Sequence, residues 1–139
     1  MKYAVKIQKD GAGYMASFPD IPEALTGGDT VEETLALAAD ALKTAIVGYM
    51  ELRKGVPVPT PGRRGYQAIA LPEVMQAKVL LWNEMVRGKV SKSELARRLG
   101  KTESYVRRML DPYENVTINS LSEAAHALKK RISMELVTA

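Results

Sequence analysis

The sequence predicts an α+β fold, in which a β-β-β-α-β unit is followed by an all-α unit that ends in a strand. Short alternating segments fill the first 28 residues, whereas three- and four-residue apolar spacing takes over from Glu73. Charge divides the chain similarly, because residues 1–65 carry eight basic and eight acidic side chains, and residues 66–139 carry twelve and eight. We therefore expect a domain from 1–54 plus 66–71, a linker at 55–65 and a second domain at 73–139.

The first strands are short and are separated by turn residues. KYAVKIQ alternates apolar and polar side chains, Asp10-Gly11 marks a turn, and YMASF follows as a second strand. PEALTGGD contains a short third strand at best, which ends at Gly27-Gly28. These elements predict a sheet with one half-buried face.

A long amphipathic helix is expected next. Thr30 and Glu33 have the spacing of a capping box, and apolar side chains recur at helical spacing from Leu35 to Tyr49. Gly55 is expected to end the helix after two basic residues. The three prolines of GVPVPTPGRRG predict a semi-extended linker, and YQAIALP predicts a short strand that returns to the first sheet.

Four helices are expected in the second domain. Apolar spacing and caps place them at Glu73–Gly88, Ser91–Leu99 and Thr102–Leu110, with a fourth that starts at Thr117 or at Ser120.

The stretch SKSELARRLGKTESYVRRMLD has the pattern of a helix-turn-helix. Ala96 supplies the small residue at the helix crossing, and Gly100 can adopt positive φ in the turn. The stretch resembles the Cro/repressor class, although Lys101 replaces the apolar residue usual after the Gly. The helix at Thr102–Leu110, the second of this stretch, fits the major groove, and Arg107 is expected to contact a base. The residues assigned to DNA binding are Ser91, Lys92, Lys101, Thr102, Glu103, Ser104, Arg107 and Arg108, with Lys92, Lys101 and Arg108 placed for phosphates.

Two blocks of opposite charge occur along the chain. Residues 10–42 contain seven acids and no Lys or Arg, whereas residues 87–111 contain eight basic residues and three acids. Such a contrast predicts two partners of opposite charge, and two solvated faces are the alternative interpretation.

The stretch GYMASFPDIPEALTGGDTVEETLALAADAL resembles the signature of HicB-family antitoxins. It has an aromatic residue in the second strand, Pro-Asp-x-Pro, and Gly-Asp-Thr before a Glu-rich helix start. Glu23 stands where a Gly commonly follows. The resemblance covers nearly the whole chain, and it implies a partial RNase H-like fold without catalysis, a HicA-type ribonuclease toxin as partner and repression of the shared operon.

The acidic block suits that partner, because a toxin that cleaves RNA needs a basic surface. Residues 1–54 are expected to suffice for neutralisation. The residues assigned to toxin binding are Asp10, Tyr14, Phe18, Asp20, Glu23 and Asp29.

Two other functions stay open at this point. One is a one-component transcriptional regulator with a ligand-sensing N-terminal domain. The other is an RNase H-type nuclease, which needs clustered carboxylates for Mg²⁺. Asp20, Glu23 and Asp29 lie on turns and at a helix mouth, and the single histidine, His126, lies within a helix. We therefore expect no enzyme, cofactor or metal.

The remaining expectations concern location and assembly. Without cysteine, a signal peptide or a bilayer-spanning run, the protein is expected to be cytoplasmic and free of disulfides. The tail Arg131–Val137 alternates like a strand and has no partner within a helical domain, so we expect a homodimer through this region. Additional contact between N-terminal units would give a homotetramer.

Overall fold

A computed structural model describes all 139 residues and places four strands and five helices along the chain. The predicted mixed α+β class is confirmed. Residues 1–72 and 73–139 form two separate units. The N-terminal unit contains β1 (Lys2–Asp10), β2 (Gly13–Phe18), β3 (Ile21–Gly28), α1 (Val31–Glu51) and β4 (Gln67–Ala70). The C-terminal unit contains α2 (Glu73–Gly88), α3 (Lys92–Leu99), α4 (Glu103–Leu110) and α5 (Ile118–Ala127).

The four strands form one antiparallel sheet in the order β3-β2-β1-β4. The third strand has eight residues and is longer than predicted. It is an edge strand, and Pro22 can be accommodated because it lies at an irregularity where it has no paired residue on β2. Gly13 allows β2 and β3 to approach closely, since a Cβ there would lie 2.5 Å from the Gly28 carbonyl oxygen.

One face of α1 packs on this sheet and forms the core of the N-terminal unit. The predicted capping box is present, because the Thr30 hydroxyl accepts a hydrogen bond from the Glu33 N–H at 3.1 Å. The Glu33 carboxylate in turn accepts from the Asp29 N–H at 3.2 Å. The buried apolar side chains of helix and sheet include Tyr3, Val5, Ala16, Phe18, Ile21, Ala38, Leu42 and Ile46.

The end of α1 differs from the prediction. The helix ends at Glu51 rather than continuing to Gly55. Arg53 adopts φ 56°, and the N–H groups of Arg53 and Lys54 donate to the Met50 and Tyr49 carbonyls. This is a Schellman motif, so the helix carbonyls are satisfied before the glycine is reached. The α2 and α5 helices end in the same way, with Lys89 and Lys129 in the left-handed conformation.

Residues 55–65 are part of the N-terminal unit, although the sequence favoured a linker there. Val56 is buried, and the Tyr3 hydroxyl donates a hydrogen bond to the Pro57 carbonyl at 2.6 Å. The segment connects α1 to β4 and so brings the fourth strand to the edge of the sheet beside β1. The chain passes from one unit to the other at Pro72–Glu73.

The helices of the C-terminal unit pack around the apolar side chains of Leu95, Val106, Met109 and Leu121. The choice between two starts for α5 falls on Thr117, whose hydroxyl accepts from the Ser120 N–H at 3.2 Å. Lys78 on α2 is only 1% exposed. Its ammonium group donates to the carbonyls of Asp111 and Glu114, which follow α4. A cation beside these carbonyls suits the negative end of α4 and fixes that helix against α2.

The prediction of a terminal strand is wrong for the single chain. Arg131–Val137 has no regular structure, and the side chains of Met134, Leu136 and Val137 are exposed. A strand needs a neighbouring strand for its backbone hydrogen bonds, and this helical unit offers none.

No helix combines the length and hydrophobicity that crossing a bilayer requires. No three His, Asp or Glu side chains are grouped so that they could hold a metal ion.

Candidate functional site

The acidic stretch of the N-terminal unit is divided between the two ends of the sheet. Asp10 pairs with Gly13, and Tyr14 pairs with Gly28, so the β1–β2 turn and the β3–α1 loop meet at one end. We call the exposed carboxylates at this end the acidic surface, which consists of Asp10, Asp29, Glu32 and Glu33. The other end, where β2 passes into β3, holds Asp20 and Glu23.

The Asp20 carboxylate is occupied by contacts within its own unit. Its carboxylate accepts hydrogen bonds from the Thr60 N–H at 2.9 Å and the Thr60 hydroxyl at 2.6 Å, and it pairs with Arg63 at 3.2 Å. The side chain is 8% exposed. The Thr60 hydroxyl and N–H, followed by Arg63, hold the pKa of Asp20 below its usual value. Asp20 therefore fastens the segment 55–65 and presents little charge to a partner.

Glu23 has a partner on α1 but remains exposed. The Tyr49 hydroxyl donates to its carboxylate, with oxygen–oxygen distances of 2.6 and 2.7 Å. This hydrogen bond lowers the pKa of Glu23 and raises the pKa of Tyr49 to about 12. The carboxylate that replaces the usual glycine thus ties β3 to α1.

The two aromatic residues assigned to toxin binding lie in different environments. Phe18 is 2% exposed and belongs to the core, so a partner cannot reach its side chain in this structure. Tyr14 is half-buried on β2 and is accessible. Of the six assigned residues, Asp10, Tyr14, Glu23 and Asp29 offer side-chain surface to a partner.

In the C-terminal unit, α3 and α4 are joined by a tight turn. Gly100 adopts φ 66°, and the Lys101 N–H donates to the Ala96 carbonyl at 2.9 Å. The hydroxyls of Ser91 and Thr102 cap the two helices by accepting from Glu94 and Tyr105 N–H groups at 3.0 and 3.1 Å. Each helix is therefore fixed at its start as well as at the turn.

The outer face of α4 carries the side chains that the sequence placed there. Val106 and Met109 are buried, whereas the exposed residues are Glu103, Ser104, Arg107 and Arg108. Arg107 donates to the Glu103 carboxylate at 2.6 Å, and the Ser93 hydroxyl on α3 donates to its other oxygen at 3.0 Å. Arg107, and then Ser93, lower the pKa of Glu103.

Two lysines of the predicted DNA-binding set lie against aromatic rings. The Lys92 ammonium is 5.7 Å from the centre of the Trp82 ring, and the Lys101 ammonium is 5.3 Å from that of Tyr105. Such cation–π contacts restrain the flexible side chains and leave their charges at the surface. Trp82 is buried, and the exposed part of its ring supports Lys92.

The two arginines on α3 both contact Glu94, and the sequence interpretation did not predict these ion pairs. Arg97 makes two hydrogen bonds to this carboxylate, and Arg98 makes one at 3.1 Å. The Arg97 contact, then the Arg98 contact, lower the pKa of Glu94 to about 2. The sequence does contain a signal for these ion pairs, because Glu94 lies three and four residues before the two arginines on the same helix.

A cavity of about 300 Å³ lies where α4 approaches the start of α5. Its lining includes Tyr105 and Arg108 from α4, and Asn115, Thr117 and Ser120 from the following turn and helix. The guanidinium and hydroxyl groups give one side of the predicted DNA-binding surface donors that suit phosphate oxygens.

The amino-acid sequence of the chain is similar to that of known proteins. The family model of the HicB-like antitoxin of bacterial toxin-antitoxin systems matches residues 2–80. Antitoxin HicB 2 of Photorhabdus laumondii is 42% identical over 134 residues, covering 96% of this chain and 95% of that protein. Antitoxin HicB of Escherichia coli K12 is 38% identical over 138 residues, covering 99% and 100%. Antitoxin HicB of Pseudomonas fluorescens is 35% identical over 139 residues, covering 99% and 95%.

Proposed function

The chain belongs to the HicB-like antitoxins of bacterial toxin-antitoxin systems, and we propose that it neutralises a HicA-type ribonuclease toxin and represses its own operon. The N-terminal unit binds the toxin, and the C-terminal unit binds operator DNA. The match to residues 2–80 includes nearly all of the N-terminal unit, which supports toxin binding there. The proposal assigns no catalytic step to this chain.

The acidic surface is the observation that carries the toxin half of the proposal. Asp10, Asp29, Glu32 and Glu33 gather at one end of the sheet, and residues 10–42 contain no Lys or Arg. A ribonuclease needs positive charge to hold RNA phosphates. Complementary charge steers two such proteins together and disfavours wrong partners. The acidic surface therefore covers the RNA-binding face of the toxin.

Charge reversal on the full-length protein tests this assignment. Asp10→Lys combined with Asp29→Lys places two like charges against a basic toxin, and we expect the toxin affinity to fall by roughly tenfold or more. Titration calorimetry with the toxin encoded beside this chain measures the change. Glu123→Lys combined with Glu114→Lys is the control, because it makes the same charge change on exposed sites of the C-terminal unit.

Two results contradict the toxin half. Equal toxin affinity of the reversed and wild-type proteins places the contact elsewhere. If the wild-type protein does not bind the toxin, and a small molecule changes its affinity for DNA, the protein is a ligand-sensing regulator instead. Because β4 pairs with β1 and residues 55–65 are fastened to the unit, a toxin-binding fragment should extend to residue 72 rather than 54.

The DNA half of the proposal rests on the capped and packed pair α3–α4, read as a helix-turn-helix. We propose that Arg107 contacts a guanine and that Lys92, Lys101 and Arg108 contact phosphates, with Ser91, Thr102, Glu103 and Ser104 at the same surface. Arg107→Ala should then cost about 1–3 kcal/mol on the operator and relax preference at one base pair. Lys101→Ala should weaken binding to all sequences alike and reduce the salt slope by about one.

Salt titrations on operator and random DNA separate these two roles. Neither substitution should alter toxin affinity, since neither site belongs to the acidic surface. If the wild-type protein shows no preference for its own promoter over random DNA, with or without toxin, the repressor half fails.

We propose that the protein binds its operator as a homodimer through the tail. Met134, Leu136 and Val137 expose apolar side chains that a second tail can cover by strand pairing. Deleting residues 131–139 should give monomers with little operator affinity. A truncated protein that sediments as a dimer contradicts this; contact between N-terminal units as well would give a tetramer.

A further inference from the structure

The carboxylate of Glu103 connects the two helices of the proposed DNA-binding surface. One oxygen accepts from Arg107 at 2.6 Å, one helical turn further along α4. The other oxygen accepts from the Ser93 hydroxyl at 3.0 Å, in the first turn of α3. A single side chain therefore fixes an exposed arginine and also links α4 to α3.

This arrangement restrains Arg107 without covering it. The arginine side chain is 59% exposed even though it is paired. A guanidinium has five N–H donors, so one contact to Glu103 leaves others free to point outward. Two N–H groups in the fixed geometry of a guanidinium match the O6 and N7 acceptors of guanine.

We propose that Glu103 is a positioning residue that holds Arg107 ready for a base and sets the preference for operator over random DNA. The inference deepens the proposed DNA-binding function and rests on it. A long, unrestrained arginine would find phosphates on any sequence, because the phosphate contact is independent of the bases. Held by Glu103, Arg107 presents its free N–H groups in one direction only, so it can reach fewer phosphates than an unrestrained arginine.

The charge of Glu103 acts in the same direction. A carboxylate at the outer surface of α4 repels the phosphate backbone at every site, and only a site with a matched base contact offsets that repulsion. Specificity often depends on such a repulsive element as well as an attractive one. The alternative is an ordinary surface ion pair, since Glu four residues before Arg is a favourable helical spacing that contributes little stability.

Glu94 on α3 provides the matched control. It is also a partly exposed glutamate that binds arginines on its own helix, Arg97 and Arg98. Glu94→Gln removes the same charge from the same helix pair as Glu103→Gln. The two variants therefore differ in which arginines they release, Arg107 on α4 in one case and Arg97 and Arg98 on α3 in the other.

The experiment measures Kd of the full-length wild type, Glu103→Gln, Ser93→Ala and Glu94→Gln on operator and on random DNA across a salt series. For Glu103→Gln we expect the ratio of operator to random affinity to fall about tenfold, because Arg107 loses its fixed geometry. The salt slope on random DNA should rise by about one as Arg107 gains a phosphate. Ser93→Ala should give a smaller loss in the same direction, and Glu94→Gln should raise both affinities alike.

A second readout concerns the free protein. Side-chain ¹⁵N NMR of arginine should show the Arg107 guanidinium ordered in the wild type and mobile in Glu103→Gln, with equal thermal stability of the two proteins as the folding control. An Arg107 that is equally ordered in both overturns the inference.

The DNA measurements separate the remaining outcomes. If Glu103→Gln and Glu94→Gln change the affinity ratio equally, net charge explains the effect and the positioning role is overturned. If Glu103→Gln weakens operator binding and leaves random DNA unchanged, Glu103 itself contacts a base, as Glu does with cytosine, and the inference is again wrong. A wild type with no preference for its promoter refutes the DNA-binding proposal and this inference together, whereas the other two results refute the inference alone.

Discussion

Charged side chains join distant segments in the N-terminal unit, whereas the ion pairs on α3 and α4 of the C-terminal unit join near neighbours. Asp20 and Glu23 bind partners 40 and 26 residues away in sequence. On α3 and α4, by contrast, the ion pairs join residues three or four positions apart. The polar contacts of the N-terminal unit therefore shape its fold, whereas α3 and α4 carry local pairs on faces that remain exposed.

Lys78 makes a buried contact between distant segments of the C-terminal unit, and removing it should have the largest effect on stability. Lys78→Met leaves the carbonyls of Asp111 and Glu114 without their charged donor in a buried position. We expect a loss of about 2–3 kcal/mol in the free energy of unfolding, since hydrogen bonds to charged groups contribute about 1.5–3 kcal/mol. Urea unfolding monitored by Trp82 fluorescence measures it.

Lys130→Met is the matched control for Lys78. Its side chain is 60% exposed and its ammonium lies 3.7 Å from the Glu84 carboxylate, so a change below about 0.5 kcal/mol is expected. Similar losses for both variants would mean that the long-range contact of Lys78 does not stabilise α4.

The corresponding contact in the N-terminal unit is that of Asp20. Asp20→Asn removes the charge that holds Thr60 and Arg63, and we expect a loss of about 1–2 kcal/mol at neutral pH. The pKa of Asp20 is lowered from its usual 3.8 in the folded protein. Its contribution is therefore complete above about pH 4 and is lost as pH falls through the lower folded value.

Unfolding by urea at several pH values tests this dependence. The gap between wild type and Asp20→Asn should narrow below pH 4. A gap that stays constant with pH would show that the carboxylate charge is not what fastens residues 55–65.

Helix ends give a smaller effect that compares the two units directly. Gly100 has φ 66° and open space around its Cβ position, so Gly100→Ala should cost about 1 kcal/mol from backbone conformation alone. Arg53 in the N-terminal unit and Lys89 in the C-terminal unit hold the same conformation without glycine. Arg53→Gly and Lys89→Gly should each stabilise by up to about 1 kcal/mol in thermal unfolding. A loss of stability in either variant would show that the basic side chain itself contributes to the cap.

The smallest effect is expected from the local ion pairs. The folded pKa of Glu94 is about 2, against a usual value of 4.5. Its contribution is present above about pH 4.5 and is lost as pH falls towards 2. Glu94→Gln should remove this part of the acid dependence and change little else, because the pairs are exposed and screened by solvent. Urea midpoints at pH 6, 4 and 3 check the expectation, and an unchanged acid dependence contradicts it.

The same contrast explains how much could be predicted from the sequence. Helix starts at Thr30, Ser91 and Thr102 were predicted correctly, because capping depends on a hydroxyl and N–H groups only a few residues away. The exposed side chains of α4 were also predicted, since they follow from helical spacing alone.

The incorrect or incomplete predictions involve contacts that spacing does not encode. The attachment of residues 55–65 depends on Asp20, which lies 40 residues from Thr60. The third strand was underestimated because its length comes from pairing with β2 rather than from its own composition. The tail strand lacked a pairing partner, and the Gly55 end of α1 was pre-empted by Arg53, a residue whose type gives no signal for positive φ.

The early completion of the N-terminal unit has a consequence during protein synthesis. Its last strand, β4, ends at Ala70, and no residue after Pro72 belongs to the unit. At about 5–20 residues per second, a bacterial ribosome needs roughly 3–13 s to add residues 73–139. On the proposed assignment, the toxin-binding unit emerges and folds within that interval, while the DNA-binding unit is still being translated. A nascent chain could then capture toxin made from the same messenger before it is able to occupy the operator, so protection of the cell would precede repression.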